Sequence, residues 1–212
     1  MIDIETARGY YQDNDSAHGY DHVLRVWRLA ERIARSEGAD LEIVRAAALL
    51  HDIGRAEQLR TGACHATVGA RRAREILSGY PAERVERVVE AIARHRYRGE
   101  RGPETLEGRV LYDADKLDAI GAIGVARAYA IAGVQGQRLW APVPPEYADR
   151  PPHAGKGDLE SDEHTPVHEF LFKLARIRER LYTAEGRRIA KERHEFMASF
   201  FRRLALEAEG EL

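Results

Sequence analysis

The sequence predicts an all-α fold, and three features of its 212 residues carry that prediction. Apolar residues recur at three- and four-residue spacing through most of the chain, the period of a helix with one buried face. Capping and breaking residues punctuate these stretches at helical lengths. No segment alternates apolar and polar residues as a half-buried strand does, and no repeat or low-complexity run competes with this reading.

The helices are expected in this order. Asn14, Asp15 and Ser16 are N-cap candidates for a helix from about Ala17 to Ser36, whose apolar face is Val23, Val26, Trp27, Ala30 and Ile33. His22, beside Val23 and one turn before Val26, falls at the edge of that face. Gly38 stops this helix and Asp40 caps the next, Leu41 to about Ile53. A third helix runs from His65 to Leu77 and ends at Ser78-Gly79-Tyr80. Pro81 suits the first turn of a fourth, reaching about Arg96, with Val85, Val88, Val89 and Ile92 inward and His95 three residues on. Gly99 to Gly102 is a turn-rich break. Helical pattern resumes from Thr105 to Leu117 and, past Gly121 and Gly124, continues to about Ala132. Residues 133–166 hold four glycines and six prolines and read as a long loop, either a lid or an insertion. Pro166 opens a helix from about Val167 to Tyr182, with Leu171, Leu174, Ile177, Arg178 and Leu181 on its seam. A last helix from about Ala184 to Leu206 uses Ile189, Phe196, Phe200 and Leu204.

Composition bounds the function. At 44% hydrophobic the chain can bury a full core, expected as one domain with a core at about 16–132 and C-terminal helices at 167–208. A formal net charge of -2 gives no pull toward nucleic acid or anionic membrane. Cys64 is the only cysteine, which excludes an internal disulfide and a cysteine-rich zinc site. Met1-Ile2-Asp3-Ile4-Glu5 lacks the pattern of a signal peptide and no apolar run is long enough to span a bilayer, so a soluble cytoplasmic protein is expected.

The stretch Arg45-Ala46-Ala47-Ala48-Leu49-Leu50-His51-Asp52-Ile53-Gly54-Arg55 concentrates the chemistry. An apolar run of helix formers leads into an imidazole beside a carboxylate, and burying both requires something that offsets their desolvation. A satisfied core hydrogen bond would do so, and so would a metal ion. Other histidines and aspartates fall at helix ends or edges: His22, His65, His95, and Asp113, Asp115 and Asp118. Each has a plain alternative. His22 alone could be an interfacial histidine, and Asp115 alone could cap a helix or pair with an arginine. Two imidazoles and two carboxylates form an N/O set that suits Mn, Fe(II), Co, Ni or Mg better than structural zinc.

His22, then His51-Asp52, then Asp115 resembles the H…HD…D signature of the HD-domain metal-dependent phosphohydrolases. The likeness extends to Ala47 through Gly54, His65 with Gly69-Ala70, Ile92 to His95, and the LYDADKLDAIGAIG run from Leu111 to Gly124. Phe170-Lys173-Leu174 and Ala190-Arg193-Met197 resemble a subgroup of small stand-alone bacterial HD hydrolases, the YpgQ-like and YedJ-like proteins. The resemblance covers nearly the whole chain.

It implies an HD-domain helical bundle with added C-terminal helices, holding one divalent metal ion through His22, His51, Asp52 and Asp115, with two ions as the alternative. The family's A-D-K/R-L context assigns the last place to Asp115 and leaves Asp113 as a cap or a partner of a ligand. Asp118 would orient a ligand histidine or a metal-bound water, or else pair with an arginine. His65 and His95 complete a second metal site in two-metal relatives, with Asp52 bridging, and contact substrate phosphate in one-metal relatives. Arg55 stands where some relatives carry a catalytic acid; an arginine cannot play that part, and phosphate binding is expected instead. Lys116 and Lys173 are phosphate candidates, with solvent exposure as the alternative. His168, on the helix of Phe170 and Lys173, is a further candidate, whereas His153 and His164 are expected in solvent.

The implied activity is hydrolysis of a phosphate ester or anhydride by attack of metal-bound water. A nucleotide is the implied substrate, and the YpgQ-like subgroup points to a triphosphate cut to monophosphate and pyrophosphate. The alternatives are a di-iron oxygenase, which needs His65 and His95 as ligands, and a non-catalytic nucleotide sensor. The implied partner is a small-molecule nucleotide rather than nucleic acid or membrane, with a homodimer left open.

Overall fold

A computed structural model describes residues 1–11, 19–96, 102–143 and 164–212. They are helical, with no strand among the described residues, and form two compact units. The first unit comprises Met1–Asp118 with Leu181–Gly186. The second comprises Ala119–Arg180 with Arg187–Leu212. No single helix among the described residues is long and apolar enough to cross a membrane.

In the first unit, α1 (Ile4–Arg8), α2 (Tyr20–Glu37), α3 (Leu41–Leu50), α4 (Arg55–Thr61), α5 (His65–Ile76), α6 (Ala82–Ala93) and α7 (Leu106–Leu117) follow one another. Its core is a ring in which α2 packs on α3, α3 on α6, α6 on α7, and α7 back on α2, with α5 against α6. α3, a member of this ring, also packs across it on α7, and its residues from Ala46 to Leu50 are all buried. A helix apolar on all sides is stable only when covered on all sides, and the alanines at 46–48 let its neighbours approach closely. Asp40 caps α3 by accepting from the backbone N–H groups of Glu42 at 3.0 Å and Ile43 at 3.2 Å. Gly38 ends α2 at φ 75, a left-handed conformation that L side chains rarely adopt.

The structure differs from the sequence-based expectations in several places. The proposed caps Asn14, Asp15 and Ser16 lie outside the described residues, as does most of the 99–102 break and of the 133–166 loop; α2 itself begins after Gly19. α3 stops at Leu50 rather than Ile53, because the chain turns through 51–54 and starts the unforeseen short helix α4. In the second unit, α8 (Gly121–Val134), α9 (Pro166–Phe172) and α10 (Ala184–Glu209, whose first turn belongs to the first unit) match expected helices. The seam from Leu174 to Arg180 is instead a 3-10 helix, separated from α9 by Lys173. The buried face of α10 is Ile189, Ala190, Met197 and Phe201, one position out of register with the expected Phe196 and Phe200; Phe196 is 50% exposed. The ridge from Ile189 through Arg193 to Met197 and Phe201 has strict four-residue spacing. Gly121 closes against it, since a Cβ there would lie 2.9 Å from the Arg193 side chain.

Candidate metal centre

The ring of helices brings its polar residues to one end. His22 lies in the first turn of α2, His51 and Asp52 just past the end of α3, and His95 just past the end of α6; Asp115 is in the last turn of α7 and His65 begins α5. All but Asp115 are buried, and Asp115 is only 15% exposed. Two glycines make the convergence possible. A Cβ on Gly54 would lie 2.2 Å from the backbone oxygen of His65, and one on Gly69 would lie 3.2 Å from that of His51. Only bare backbone lets α5 carry His65 this close to the His51-Asp52 turn.

Hydrogen bonds fix the tautomer of every histidine in the centre. The Nδ1–H of His51 donates to Ala48 O at 2.8 Å and that of His95 to Ile92 O at 2.6 Å. His22 Nδ1–H donates to Asp118 Oδ2 at 2.7 Å, and His65 Nδ1–H to Gln58 Oε1 at 2.9 Å. Each acceptor is a carbonyl or carboxylate oxygen, so all four rings turn an Nε2 lone pair inward. Those lone pairs surround a single carboxylate. His22 and His51 Nε2 lie 3.8 and 3.7 Å from Asp52 Oδ2, while His65 and His95 Nε2 lie 3.6 and 3.7 Å from Asp52 Oδ1. Acceptor facing acceptor in a buried site is repulsive unless a cation stands between them.

The two oxygens of Asp52 differ. Asp52 Oδ2 and His51 Nε2 are buried with no hydrogen-bond partner among the described residues, and Asp115 Oδ1 joins this side at 3.5 Å from His22 Nε2. Ligands of a common ion at about 2.0–2.2 Å are themselves roughly 3–4 Å apart, so the spacing of His22, His51 and Asp52 fits a metal, while Asp115 approaches this group through His22 alone. On the other side, Oδ1 accepts from Arg55 Nε at 3.0 Å. Among the described residues the histidine and aspartate groups able to hold an ion are His22-His51-Asp52 and Asp52-His65-His95.

Protonation states match metal binding. Burial holds the His51 imidazole down to about 4, and burial with the Arg55 charge holds His65 down to about 3. Burial pushes the Asp52 carboxyl up, but His51, His95 and Arg55 outweigh it and leave it well below the usual range. For Asp115 burial likewise acts upward, and Lys116, His22 and His51 override it. Neutral imidazoles and ionised carboxylates are the forms that ligate metals.

The remaining sequence candidates fall as follows. Asp118 holds His22, and Arg25 grips both its oxygens, Nε to Oδ1 at 2.8 Å and a terminal nitrogen to Oδ2 at 3.1 Å. Lys116 pairs with Asp115 and lies 5.2 Å from the centroid of the Tyr112 ring. Asp113 faces away from the centre: it accepts from the backbone N–H groups of Tyr182 at 2.9 Å and Thr183 at 2.7 Å and from the Thr183 hydroxyl at 2.6 Å. His168 and Lys173 belong to the second unit, where His168 Nδ1 is hydrogen-bonded to Thr165 Oγ1 at 2.8 Å and Lys173 pairs with Glu169 at 2.7 Å. His164 is buried rather than solvent-exposed. Its Nε2 lies 3.6 Å from Glu169 Oε2, and burial pushes that carboxyl up while the Lys173 charge and His164 outweigh it and hold it down to about 2. His153 lies outside the described residues. Sequence reasoning missed Arg25 and Gln58. Arg25 follows His22 by three residues on one face of α2, and Gln58 follows Arg55 by three on α4, so helical spacing was the available signal.

Against known proteins, the family model for the HD domain matches residues 19–120, a span that contains every histidine and aspartate of this centre. Bacillus subtilis YpgQ is 34% identical over 203 residues, covering 93% of this chain and 88% of its own. The crystal structure of that protein in complex with ADP aligns with a TM-score of 0.71 at 30% identity, covering 97% of each chain. An HD-superfamily hydrolase from Bacillus thuringiensis aligns with a TM-score of 0.74 at 25% identity, over 97% of this chain and 94% of that one. Likeness of this extent, over the residues that build the centre, shows that the chain belongs to the HD superfamily and is a phosphohydrolase.

Proposed function

We propose that this enzyme hydrolyses nucleotide phosphates with a single divalent ion, cutting a nucleoside triphosphate to monophosphate and pyrophosphate. The observation that carries the reading is the pair of buried atoms Asp52 Oδ2 and His51 Nε2, without a hydrogen-bond partner among the described residues, which face one another across 3.7 Å. His22, His51, Asp52 and Asp115 hold the ion, and this borderline-hard set suits Mn, Fe(II), Co, Ni or Mg. When bound, such an ion acidifies coordinated water and stabilises charge on phosphoryl oxygens. The chain's own groups do the rest. Asp118, held by Arg25, keeps the His22 lone pair inward. Lys116, beside Asp115, supplies a positive charge for a substrate phosphate. The nucleotide part of the reading is supported by YpgQ, which binds ADP in its crystal.

The test is a panel of nucleoside di- and triphosphates with Mn(II)- or Co(II)-loaded protein, following phosphate and pyrophosphate. Release of pyrophosphate that disappears in His51→Ala and Asp52→Ala is expected. No release from any nucleotide by protein with its metal bound would refute the substrate assignment.

A further inference from the structure

The two sides of Asp52 are built from the same parts, one carboxylate oxygen and two inward Nε2 lone pairs, yet among the described residues only Oδ1 accepts a hydrogen bond from a cationic side chain. At Oδ1 the Arg55 Nε–H donates at 3.0 Å. A terminal nitrogen of the same guanidinium donates to Gln58 Oε1 at 3.3 Å, and that oxygen also receives the Nδ1–H of His65 at 2.9 Å. Arg55 is therefore tied to the carboxylate of this half-site and, through Gln58, to one of its histidines. Its backbone is equally constrained, because it opens α4 directly after Gly54, which is pressed against the His65 carbonyl.

We propose that Arg55 is the second cation of this centre: its guanidinium occupies the charge position that a second metal ion would take between Asp52, His65 and His95, so the enzyme holds one ion per chain. Three facts support this. The guanidinium cannot lose its proton at ordinary pH, so its charge is permanent. It donates to the very oxygen that a second ion would need, and the like charges of ion and guanidinium would repel at that range. His65 and His95 have committed their N–H groups to Gln58 and Ile92, so each presents a lone pair to Arg55's side of the site rather than a donor to a phosphate. The same residues thus form a binuclear cage with one compartment closed from within.

The inference rests on the metal-dependent reading above, and counting ions separates the two. Chelator-stripped wild type, Arg55→Met and Arg55→Gln are titrated with Mn(II), with bound metal measured by elemental analysis and by the electron paramagnetic resonance signal. One ion per chain, with the spectrum of an isolated Mn(II), is expected for wild type. A second ion per chain, with the spectrum of a spin-coupled pair, is expected for Arg55→Met, and Arg55→Gln serves in the same way should the methionine variant not fold. Two ions in wild type, or one ion in the folded variants, would overturn the role of Arg55 while leaving metal dependence intact. No ion in wild type would remove the metal reading and this inference with it.

Discussion

Asp118→Asn is the most informative single change, because it hardly alters volume and tests how His22, a proposed ligand, is held. In the native centre Asp118 accepts from Arg25 Nε at Oδ1, and at Oδ2 from both a terminal Arg25 nitrogen and His22 Nδ1–H. An amide has one oxygen and one NH2, so either orientation sets a donor against a donor. If the NH2 meets His22, the imidazole relieves the conflict by moving its proton to Nε2, the atom that lies 3.8 Å from Asp52 Oδ2 and 3.5 Å from Asp115 Oδ1. That ring then no longer offers its lone pair. If the NH2 meets Arg25, the arginine clamp opens and His22 loses its fixed orientation. Removing such a support typically lowers metal affinity about 10–100-fold, which corresponds to about 1.4–2.7 kcal/mol. Isothermal titration of metal-free protein with Mn(II) near neutral pH measures this, and the thermal midpoint of the metal-free variant monitors folding. An Asp118→Asn protein that folds and binds Mn(II) as tightly as wild type would refute the claim that Asp118 sets the His22 tautomer.

Further expectations follow from the same geometry. His51 is held down to about 4 and His65 to about 3, below the ordinary 6.5, so the unfolded chain takes up protons that the native chain excludes. Stability of the metal-free protein is therefore fully present above about pH 6.5 and is lost as pH falls toward about 4; chemical denaturation across that window should show it, and a flat profile would contradict it. Gly54→Ala places a Cβ 2.2 Å from the His65 carbonyl oxygen; a loss of about 1–3 kcal/mol from overpacking is expected, with weakened Mn(II) binding, and calorimetry checks both. Asp113→Ala strips acceptors from the Tyr182 and Thr183 N–H groups; it should cost about 1–3 kcal/mol in denaturant midpoint experiments while leaving the number of bound ions unchanged.

Local sequence determined most of the helices by itself, and its resemblance to a family pointed to the candidate ligands. The apolar run ending at Leu50 specifies a helix buried on all sides, and Asp40 and Gly38 mark boundaries that the structure reproduces. His22, His51, Asp52, Asp115, His65 and His95 were all legible, because a family-like spacing survives in one dimension and each falls at a helix end or edge. The register of α10 was not. Ile189 is compatible with either neighbouring four-residue ridge, and packing against Gly121 selects the one through Arg193 and Met197. Asp113 and Asp115 are two residues apart and so point to opposite sides of α7; only the position of residues 181–186 gives Asp113 its partners and leaves Asp115 to His22. The largest decision left to tertiary structure concerns Asp52. Sequence places a carboxylate next to a histidine but cannot say what faces each oxygen, since those partners come from α2, α4, α5 and the end of α6. Among the described residues the folded chain leaves one oxygen without a hydrogen-bond partner and gives the other an arginine, and the histidines that face both are brought in by helix packing across long sequence separations.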